Sequence, residues 1–378
     1  MLNMKAIVNG KIILKDEIIE NKVLLYDSKI IAIQDDLEHM QGVELIDADS
    51  CYVSPGFTDI HTHGAFGCDA MDEDVNALST ISKGLCQYGV TSFLPTTMSA
   101  DKKNLQRALD NIRKAASWEP KGAKVLGAHM EGPFINPLRK GAHAEKFIIK
   151  AEYELIKDYL DIIKLITIAP EIEGNMDFIN DMHRHSHISF SIGHSNATYE
   201  EALTAIESGI KSATHLFNAM AGMNHREPGV VGAVLNSDIY CELIADKIHV
   251  HPVMFKLLMK VKGSDRIILI TDAMRATCMK QGVYDLGGQQ VTVKQGSARL
   301  ADGTLAGSVL RLDEAIRNII ENTELSLPEA IATVTINPAK LIGLYDEIGS
   351  LEAGKSADIT IFDEKINIKT TIINGKQM

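Results

Sequence analysis

The sequence predicts an α/β protein: a (β/α)8 barrel with a small β domain that is built from both ends of the chain. Three patterns in the 378 residues indicate this fold. Short apolar runs alternate with amphipathic helix patterns through the middle of the chain, about eight such units fit between residues 53 and 345, and hairpin-like runs occupy both ends. Alternation of strand and helix favours a parallel sheet with crossover helices, and a barrel of this type typically takes about 250 residues plus insertions.

The two chain ends carry the β pattern. Residues 4–50 show short alternating apolar runs broken by Asn-Gly and Asp-Ser pairs, which are typical of hairpins. The stretch 356–378 shows the same pattern. We therefore predict that residues 1–52 and 346–378 pair into one small domain and that residues 53–345 form the barrel. A linear boundary between two domains is the alternative.

A series of apolar segments supplies the candidate barrel strands. In chain order they are GFTDIHTH, VTSFLPTT, KVLGAHMEG, IKLITIAPE, HISFSIGHS, KSATHLFN, YCELIADKIHV and RIILITDA. Between them, Asp101 is placed to cap one helix, and Thr198 with Glu201 forms a capping pattern at the start of another that ends near Gly209. Residues 276–307 are too long for a simple connection, so we predict a loop or hairpin beside the site.

The bulk composition predicts a soluble, cytoplasmic protein. The 50 acidic and 38 basic side chains leave a formal net charge of −12, which argues against general nucleic-acid binding, although a local basic pocket could still hold a phosphate. The five cysteines are an odd number without a CxxC pair, so a reducing compartment fits best. The N-terminus shows no signal-peptide pattern, and no apolar run approaches the roughly 20 residues of a membrane span.

Most of the predicted strands share one feature: a potential metal ligand or acid/base group near the carboxyl end. These residues are His61, His63, Glu131, His194, His215 and Asp272. Active sites of such barrels lie at the face where the carboxyl ends of the strands meet, so we expect these side chains to converge on one mouth. Their convergence is a stronger argument than any single motif.

The residue types suit a metal centre. His61 and His63 are two apart on a strand, so both rings face the same side, and a pair of imidazoles makes half of a tetrahedral zinc site. Glu131 is placed to bridge to a second position with His194 and His215. Asp272 follows the apolar run RIILI, which suits an acid/base role and also allows contact with a metal.

Each of these residues has a structural alternative. A single histidine at the end of an apolar strand is more often a hydrogen-bonded core residue than a ligand, and Asp272 could cap the following segment. The cluster His183, His185 and His187 resembles a metal motif more closely, but it precedes a predicted strand. It should therefore lie at the opposite end of the barrel, and we interpret it as a solvated helix end and turn.

The segment SPGFTDIHTHG resembles the PGxIDxHxHG signature of the amidohydrolase superfamily. Other segments narrow the resemblance: GAHMEGPFINPLRKGAH, SIGHSNAT, THLFNAM, NHREPGVVG, ELIADKIHV, LITDAM and DGTLAGS. Their order and spacing are similar to those of the N-acetylglucosamine-6-phosphate deacetylase family, from about residue 45 to 362. The resemblance implies a TIM-like metal-dependent hydrolase barrel, a β-sandwich domain from both termini, and a homodimer.

Family roles map onto matching positions. The resemblance implies that Glu131, His194 and His215 are the principal metal ligands, that Asp272 is the catalytic acid/base, and that His143 contacts substrate near the reacting amide. It implies further substrate contacts at Ala142, Asn218, Ala219, Arg226, His249, Leu305, Ala306 and Gly307. Arg226 and His249 are the implied phosphate ligands, since a guanidinium fork suits phosphate oxygens; a salt bridge within HREPG is the alternative for Arg226. His225 and His251 are weaker candidates.

Family members differ at the HxH pair, and some hold one metal. Because this chain keeps both His61 and His63, we predict a site with two divalent ions per subunit, and a single ion is the alternative. The ligand types admit zinc, iron, manganese or cobalt. No lysine sits at a matching strand end, so Glu131 would take the place of the carboxylated lysine that bridges the metals in many related hydrolases.

The implied reaction is removal of the acetyl group of N-acetyl-D-glucosamine 6-phosphate. Two alternatives remain open. The same chemistry could act on another substrate, such as the galactosamine epimer or a cyclic amide, or the barrel could be a sugar-phosphate sensor without catalysis.

Overall fold

The barrel occupies the middle of the chain in the computed structural model, which describes residues 4–37 and 42–378. Within these residues, eight parallel strands, numbered β1 to β8 in chain order, follow one another around it. Their bounds are Phe57–Thr62, Val90–Thr97, Ala128–Glu131, Ile163–Ile168, Ser189–Ile192, Ile210–Ala213, Tyr240–Ile244 and Ile267–Ile270. A parallel bridge between Thr62 and Ala273 joins the last strand to the first. The predicted barrel is therefore confirmed.

Helices cover the outside of this sheet. The α-helices α1 to α10 are Asn76–Leu85, Lys102–Ala116, Tyr153–Ile156, Asn175–His185, Tyr199–Glu207, Gly229–Leu235, Pro252–Lys262, Leu312–Asn322, Leu327–Ala332 and Ile336–Leu341. Short 3-10 helices lie at Cys86–Tyr88, Pro137–Arg139, Glu145–Phe147, Lys157–Tyr159 and Ser264–Arg266. No helix among the residues described is long and apolar enough to span a membrane.

The helix starts that the sequence indicated are present. The Asp101 carboxylate accepts a hydrogen bond from the backbone N–H of Asn104 at 3.0 Å, at the start of α2. Thr198 and Glu201 form a reciprocal capping box at the start of α5. Each cap satisfies N–H groups that have no partner inside the helix, which explains why the helices begin at these residues.

The β-sandwich contains strands from both chain ends. One sheet has the order Ile30–Gln34, Val23–Tyr26, Lys5–Val8, Glu44–Asp47, and the other has the order Lys376–Gln377, Ile368–Ile373, Ile359–Phe362, Tyr52–Pro55, Lys11–Ile13, Ile18–Ile19. Apolar side chains from both sheets, among them Leu24 and Ile359, form one buried cluster between them. The pairing of Val53 with Ile361 ties the N-terminal segment to the C-terminal one.

The chain passes from the sandwich to the barrel at Gly56, between Pro55 and Phe57. A Cβ atom at Gly56 would lie 2.2 Å from the Thr91 side chain, so this crossing requires glycine. The division into residues 1–52 with 346–378 and residues 53–345 stays a prediction, and residues 1–3 and 38–41 of it lie outside the described residues.

The long segment after β8 folds over the carboxyl end of the barrel. Its strands Gly282–Leu286, Gln289–Lys294 and Ser297–Arg299 form a small antiparallel sheet, as expected for residues 276–307. A second short ribbon, Gly64–Ala65 with Cys68–Asp69, follows β1. Elsewhere, the two-residue strand Lys124–Val125 pairs with β2.

Candidate metal centre and active site

The strand ends bring the six predicted metal and acid/base residues together at one mouth of the barrel. One lies in β1 and one directly follows it, one is the last residue of β3, and the other three lie two positions beyond β5, β6 and β8. In chain order they are His61, His63, Glu131, His194, His215 and Asp272. All six are at most 7% exposed. Polar groups buried to this degree need partners or a bound ion.

Three of these residues have an unusual backbone conformation. The φ angles of His194, His215 and Asp272 are 48°, 28° and 48°, in the region that favours glycine. Each residue lies two positions beyond the end of its strand, so the left-handed turn occurs where the chain leaves the sheet. Strained backbone of this kind is concentrated at functional sites, since the surrounding structure must enforce it.

Glu131, His194 and His215 form a tight triangle. Glu131 Oε1 lies 3.0 Å from His194 Nε2 and 2.9 Å from His215 Nε2, and the two imidazole nitrogens are 3.1 Å apart. Ligands held about 2.0–2.1 Å from a zinc ion in tetrahedral geometry lie roughly 3.3 Å from one another. The observed separations are close to this value, so these three atoms can all reach one cation.

His61 and His63 lie on the other side of Glu131. His63 Nε2 is 3.2 Å from Glu131 Oε2 and 3.2 Å from Asp272 Oδ1. His61 Nε2 is 3.5 Å from both Glu131 Oε1 and Asp272 Oδ1, and it is buried without a hydrogen-bond partner among residues 4–37 and 42–378. A second cation between these groups would be held by two imidazoles and two carboxylates, with Glu131 shared between the two positions.

The hydrogen bonds made by Nδ1 show which histidines can bind a metal through Nε2. Nδ1 of His194 lies 2.8 Å from the Arg139 carbonyl oxygen, and Nδ1 of His63 lies 3.2 Å from the Thr96 carbonyl oxygen. A carbonyl oxygen only accepts, so Nδ1 carries the proton in both rings and Nε2 presents a lone pair to the site. This arrangement is usual for metal-binding histidines. The residues present therefore fit a divalent cation.

His143 has the opposite arrangement. Its Nδ1 accepts a hydrogen bond from the backbone N–H of Ser99 at 3.1 Å, so the proton of the neutral ring is on Nε2. That nitrogen is 3.3 Å from Glu131 Oε2 and faces the same mouth. Burial lowers the pKa of His143 to about 4, so the ring stays neutral. His143 is therefore built as a hydrogen-bond donor to the site rather than as a ligand.

The carboxylates are ionised despite their burial. Burial raises the pKa of Glu131, but the adjacent His61 and His194 outweigh it and hold this pKa well below the usual range. Burial likewise raises the pKa of Asp272, and the hydrogen bond from His63 with the nearby charge of His61 lowers it overall. Burial lowers the pKa of His63, but Asp272 and Glu131 outweigh it and raise this pKa to about 10. The two buried carboxylates thus attract positive charge, whether from protons on the neighbouring imidazoles or from a bound cation.

The mouth opens into a cavity of about 210 Å³. Several predicted substrate contacts line it: Ala142, His143, Asn218, Ala219, His249, Leu305 and Gly307. His249 Nδ1 is 2.6 Å from the Asp246 carboxylate, which fixes the ring. A φ of 60° at Gly307, with its Cβ position 3.1 Å from the Asp272 carbonyl oxygen, explains why glycine occurs in this turn.

Two predicted substrate contacts do not line the cavity. Ala306 is fully buried behind its neighbours, and its N–H donates to the Ala298 carbonyl at 3.0 Å. Arg226 is exposed, with its guanidinium 3.0 Å from His225 Nε2. The salt bridge within HREPG considered for Arg226 is not among the ion pairs of the described residues. His251 is also exposed, at the start of α7.

The sequence interpretation missed several residues of this site. Glu242 on β7 is fully buried, and its Oε2 is 3.0 Å from His61 Nδ1. His129, two residues before Glu131, is also buried, with Nε2 2.8 Å from the Thr167 hydroxyl. A signal existed in both cases, because a charged or ring-nitrogen side chain inside an apolar strand is rarely accidental. Thr304 and Met98 also line the cavity.

The cluster His183, His185 and His187 lies away from this site. The first two belong to the last turn of α4 and the third precedes β5. All three therefore lie at the end of the barrel opposite the carboxyl ends of the strands. All are exposed. The interpretation as a solvated helix end and turn agrees with this placement.

A parallel barrel whose strand ends gather imidazoles and carboxylates around one cavity defines the class of metal-dependent barrel hydrolases. Residues 52–378 match the model of the amidohydrolase family. The chain belongs to this family, in the branch whose members are named N-acetylglucosamine-6-phosphate deacetylase.

The similar proteins extend over most of the chain. An N-acetylglucosamine-6-phosphate deacetylase from Bacillus subtilis (strain 168) is 41% identical over 329 residues, covering 85% of this chain and 83% of the relative. An N-acetylgalactosamine-6-phosphate deacetylase from Escherichia coli O157:H7 is 35% identical, covering 88% of this chain and 89% of the relative. The crystal structure of the N-acetylglucosamine-6-phosphate deacetylase from Pasteurella multocida is 33% identical, covers 99% of both chains and has a TM-score of 0.94.

Proposed function

We propose that this protein hydrolyses the acetamide of N-acetyl-D-glucosamine 6-phosphate to D-glucosamine 6-phosphate and acetate, in amino-sugar catabolism. The observation that carries the proposal is the triangle of Glu131, His194 and His215, with separations of 2.9–3.1 Å, flanked in one cavity by Asp272 and by the Nε2–H of His143. The named activity of the relatives supports the same reaction.

The proposed metal centre has two positions. Glu131, His194 and His215 would hold one divalent cation, and His61, His63, Glu131 and Asp272 would hold the other. Zinc, iron, manganese and cobalt all suit imidazole and carboxylate ligands. Elemental analysis of the purified protein identifies the metal and its stoichiometry. A content near two per chain supports the complete proposal, and a content near one restricts it to the first position.

The proposed mechanism assigns one task to each of two side chains. A cation held by these residues would supply an activated water, since a bound metal can lower the pKa of water from about 16 to near 7. Asp272, ionised at neutral pH, accepts the proton of the attacking water and later delivers it to the departing amine. His143 donates its Nε2–H to the acetyl carbonyl oxygen, which becomes an oxyanion as the tetrahedral intermediate forms. An amide needs both forms of assistance, because its carbonyl is a poor electrophile and its amine a poor leaving group.

We propose that the cavity residues hold the sugar and that His249 and Arg226 bind the phosphate. Because Nδ1 of His249 is held by Asp246, its Nε2 is the nitrogen available to the substrate. Arg226 is exposed outside the cavity within one chain, so its contact with phosphate requires either movement of its loop or a second chain. The second arrangement agrees with the homodimer that we propose. Light scattering of the purified protein measures its mass directly.

The proposed compartment is the cytoplasm. The absence of a disulfide supports it, since all five cysteines are free. The negative net charge of −12 disfavours nucleic acid as a partner.

The galactosamine epimer is the second candidate substrate, because one relative is named for it. Acetate release should be measured with both N-acetylhexosamine 6-phosphates and with unphosphorylated N-acetylglucosamine. The proposal expects the largest kcat/KM for N-acetylglucosamine 6-phosphate. A larger kcat/KM for N-acetylgalactosamine 6-phosphate would make that sugar the assigned substrate. Binding of the sugar phosphate to the metal-replete protein without any release of acetate refutes catalysis and favours the sensor.

A further inference from the structure

Glu242 stands out among the buried carboxylates because the proposed mechanism gives it no task. It lies in the middle of β7, in the run YCELI, and is fully buried. Its Oε1 has no hydrogen-bond partner, and no lysine or arginine in the described part of the chain forms an ion pair with it. A charge in this environment is costly unless other groups compensate it.

Among the described residues, the side-chain hydrogen bonds of Glu242 all go to residues of the metal centre. Its Oε2 is 3.0 Å from His61 Nδ1 and 3.2 Å from the backbone nitrogen of His215. The first contact places the proton of His61 on Nδ1 and leaves Nε2 free to face Glu131 and Asp272. The second holds the backbone of His215, whose φ of 28° needs such support. Oε2 of Glu242 thus holds His61 and His215, which belong one to each of the two proposed metal positions.

Glu242 is not itself part of a third metal site. His61, His129 and Glu242 present potential ligand atoms within 4.8 Å of one another. Nδ1 of His129, however, lies 3.1 Å from the Ile60 carbonyl oxygen, and its Nε2 lies 2.8 Å from the Thr167 hydroxyl. Both ring nitrogens are therefore used in hydrogen bonds, and the Nδ1 of His61 is directed at Glu242. The cluster is a hydrogen-bonded layer beneath the metal centre.

We propose that Glu242 is a positioning residue that makes the His61/His63 position able to hold a cation. Its hydrogen bond fixes the orientation and the tautomer of His61, so that Nε2 of this ring faces the cation position. Carboxylate–histidine–metal arrangements have this effect in other proteins, and their loss typically weakens metal binding by about 10–100-fold. The inference rests on the proposed metal-dependent function, but it concerns metal affinity and not turnover.

The test measures binding of Zn²⁺ to the metal-free full-length chain by titration calorimetry. Wild type should bind two equivalents. Glu242→Leu, which removes both acceptor oxygens, should weaken the second equivalent about 100-fold. The first equivalent should change less, because His215 keeps its contact with Glu131. Glu242→Gln keeps the volume and one acceptor oxygen, so a loss of about tenfold is expected.

Asp313→Asn is the matched control, because this carboxylate on α8 is also buried but pairs with Arg311 and Arg317 rather than with the metal centre. It should keep both Zn²⁺ affinities even if its melting temperature falls. If the leucine variant does not fold, the glutamine variant decides the matter.

An unchanged second affinity in a folded Glu242 variant overturns the proposal. So does a wild-type chain that binds only one equivalent, since there would be no second position to support. A wild-type chain that binds two ions but releases no acetate from N-acetylglucosamine 6-phosphate refutes the proposed function and leaves the role of Glu242 standing.

Discussion

Replacing Asp272 by asparagine removes one ionisable oxygen from the site and changes little else. The side chain keeps its volume, and its amide oxygen can still face the second metal position beside His63 Nε2, which is 3.2 Å away. Glu131, His194 and His215 keep their mutual distances of 2.9–3.1 Å, so the first metal position should stay filled. The variant therefore separates proton transfer from metal binding at the first position.

The expected loss of kcat follows from the two tasks of Asp272. General acid–base catalysis contributes typically 10²–10⁴-fold. Asp272 is both acceptor and donor in the proposed mechanism, so kcat should fall by roughly 10³–10⁴-fold, which corresponds to about 4–5.5 kcal/mol in activation free energy. The cation at the first position should be retained, and KM should be similar.

The assay is acetate release from N-acetylglucosamine 6-phosphate with metal content measured on the same sample. Glu321→Gln on α8 removes an exposed carboxylate and should retain full activity, which controls for the change in net charge. A variant at Asp272 that keeps its metal and more than about a tenth of wild-type kcat would refute the assignment of general base, because acid–base catalysis contributes at least about 100-fold.

Three further predictions concern other parts of the site. His143→Ala should lower kcat by about 10²–10³-fold with metal content unchanged, because one donor to the oxyanion is lost. An equal loss of metal would instead make His143 a ligand. Arg226→Ala should raise KM for the phosphorylated substrate. If the arginine acts in the partner subunit, a mixture of Arg226→Ala and Asp272→Asn chains should regain activity. A mixture that is no more active than its separate components excludes that arrangement. Removing the metal with a chelator should abolish activity and lower the melting temperature, since ligands that bind only the folded state stabilise it. Added divalent cation should restore both the activity and the melting temperature. Activity that survives complete metal removal would refute metal dependence.

The candidate metal residues could be predicted because each lies at a recognisable place in the chain. A barrel places all strand ends at one face, so an imidazole or carboxylate after an apolar run is enough to assign it to the mouth. This reasoning located His61, Glu131 and Asp272 without any distance. It also set aside His183, because that histidine precedes a strand instead of following one.

The same reasoning could not find Glu242 or place Arg226. Glu242 lies within β7 rather than at its end, and its contact with His61 crosses the barrel interior between strands that are 181 residues apart in the chain. The position of Arg226 depends on the course of its loop, which has no periodic pattern. Whether His143 is a ligand or a donor depended on the N–H of Ser99, 44 residues away.

The sequence by itself determined three local properties of this protein. They are the order of strands and helices, the capping residues, and the types of side chain at the strand ends. Periodicity and capping depend on neighbours within a few positions, so no tertiary contact is needed to recognise them. Only the tertiary structure decided the distances of about 3 Å among Glu131, His194 and His215. It also decided which nitrogen of each ring carries the proton. These features depend on the barrel closing and on hydrogen bonds between distant segments, which no local pattern specifies.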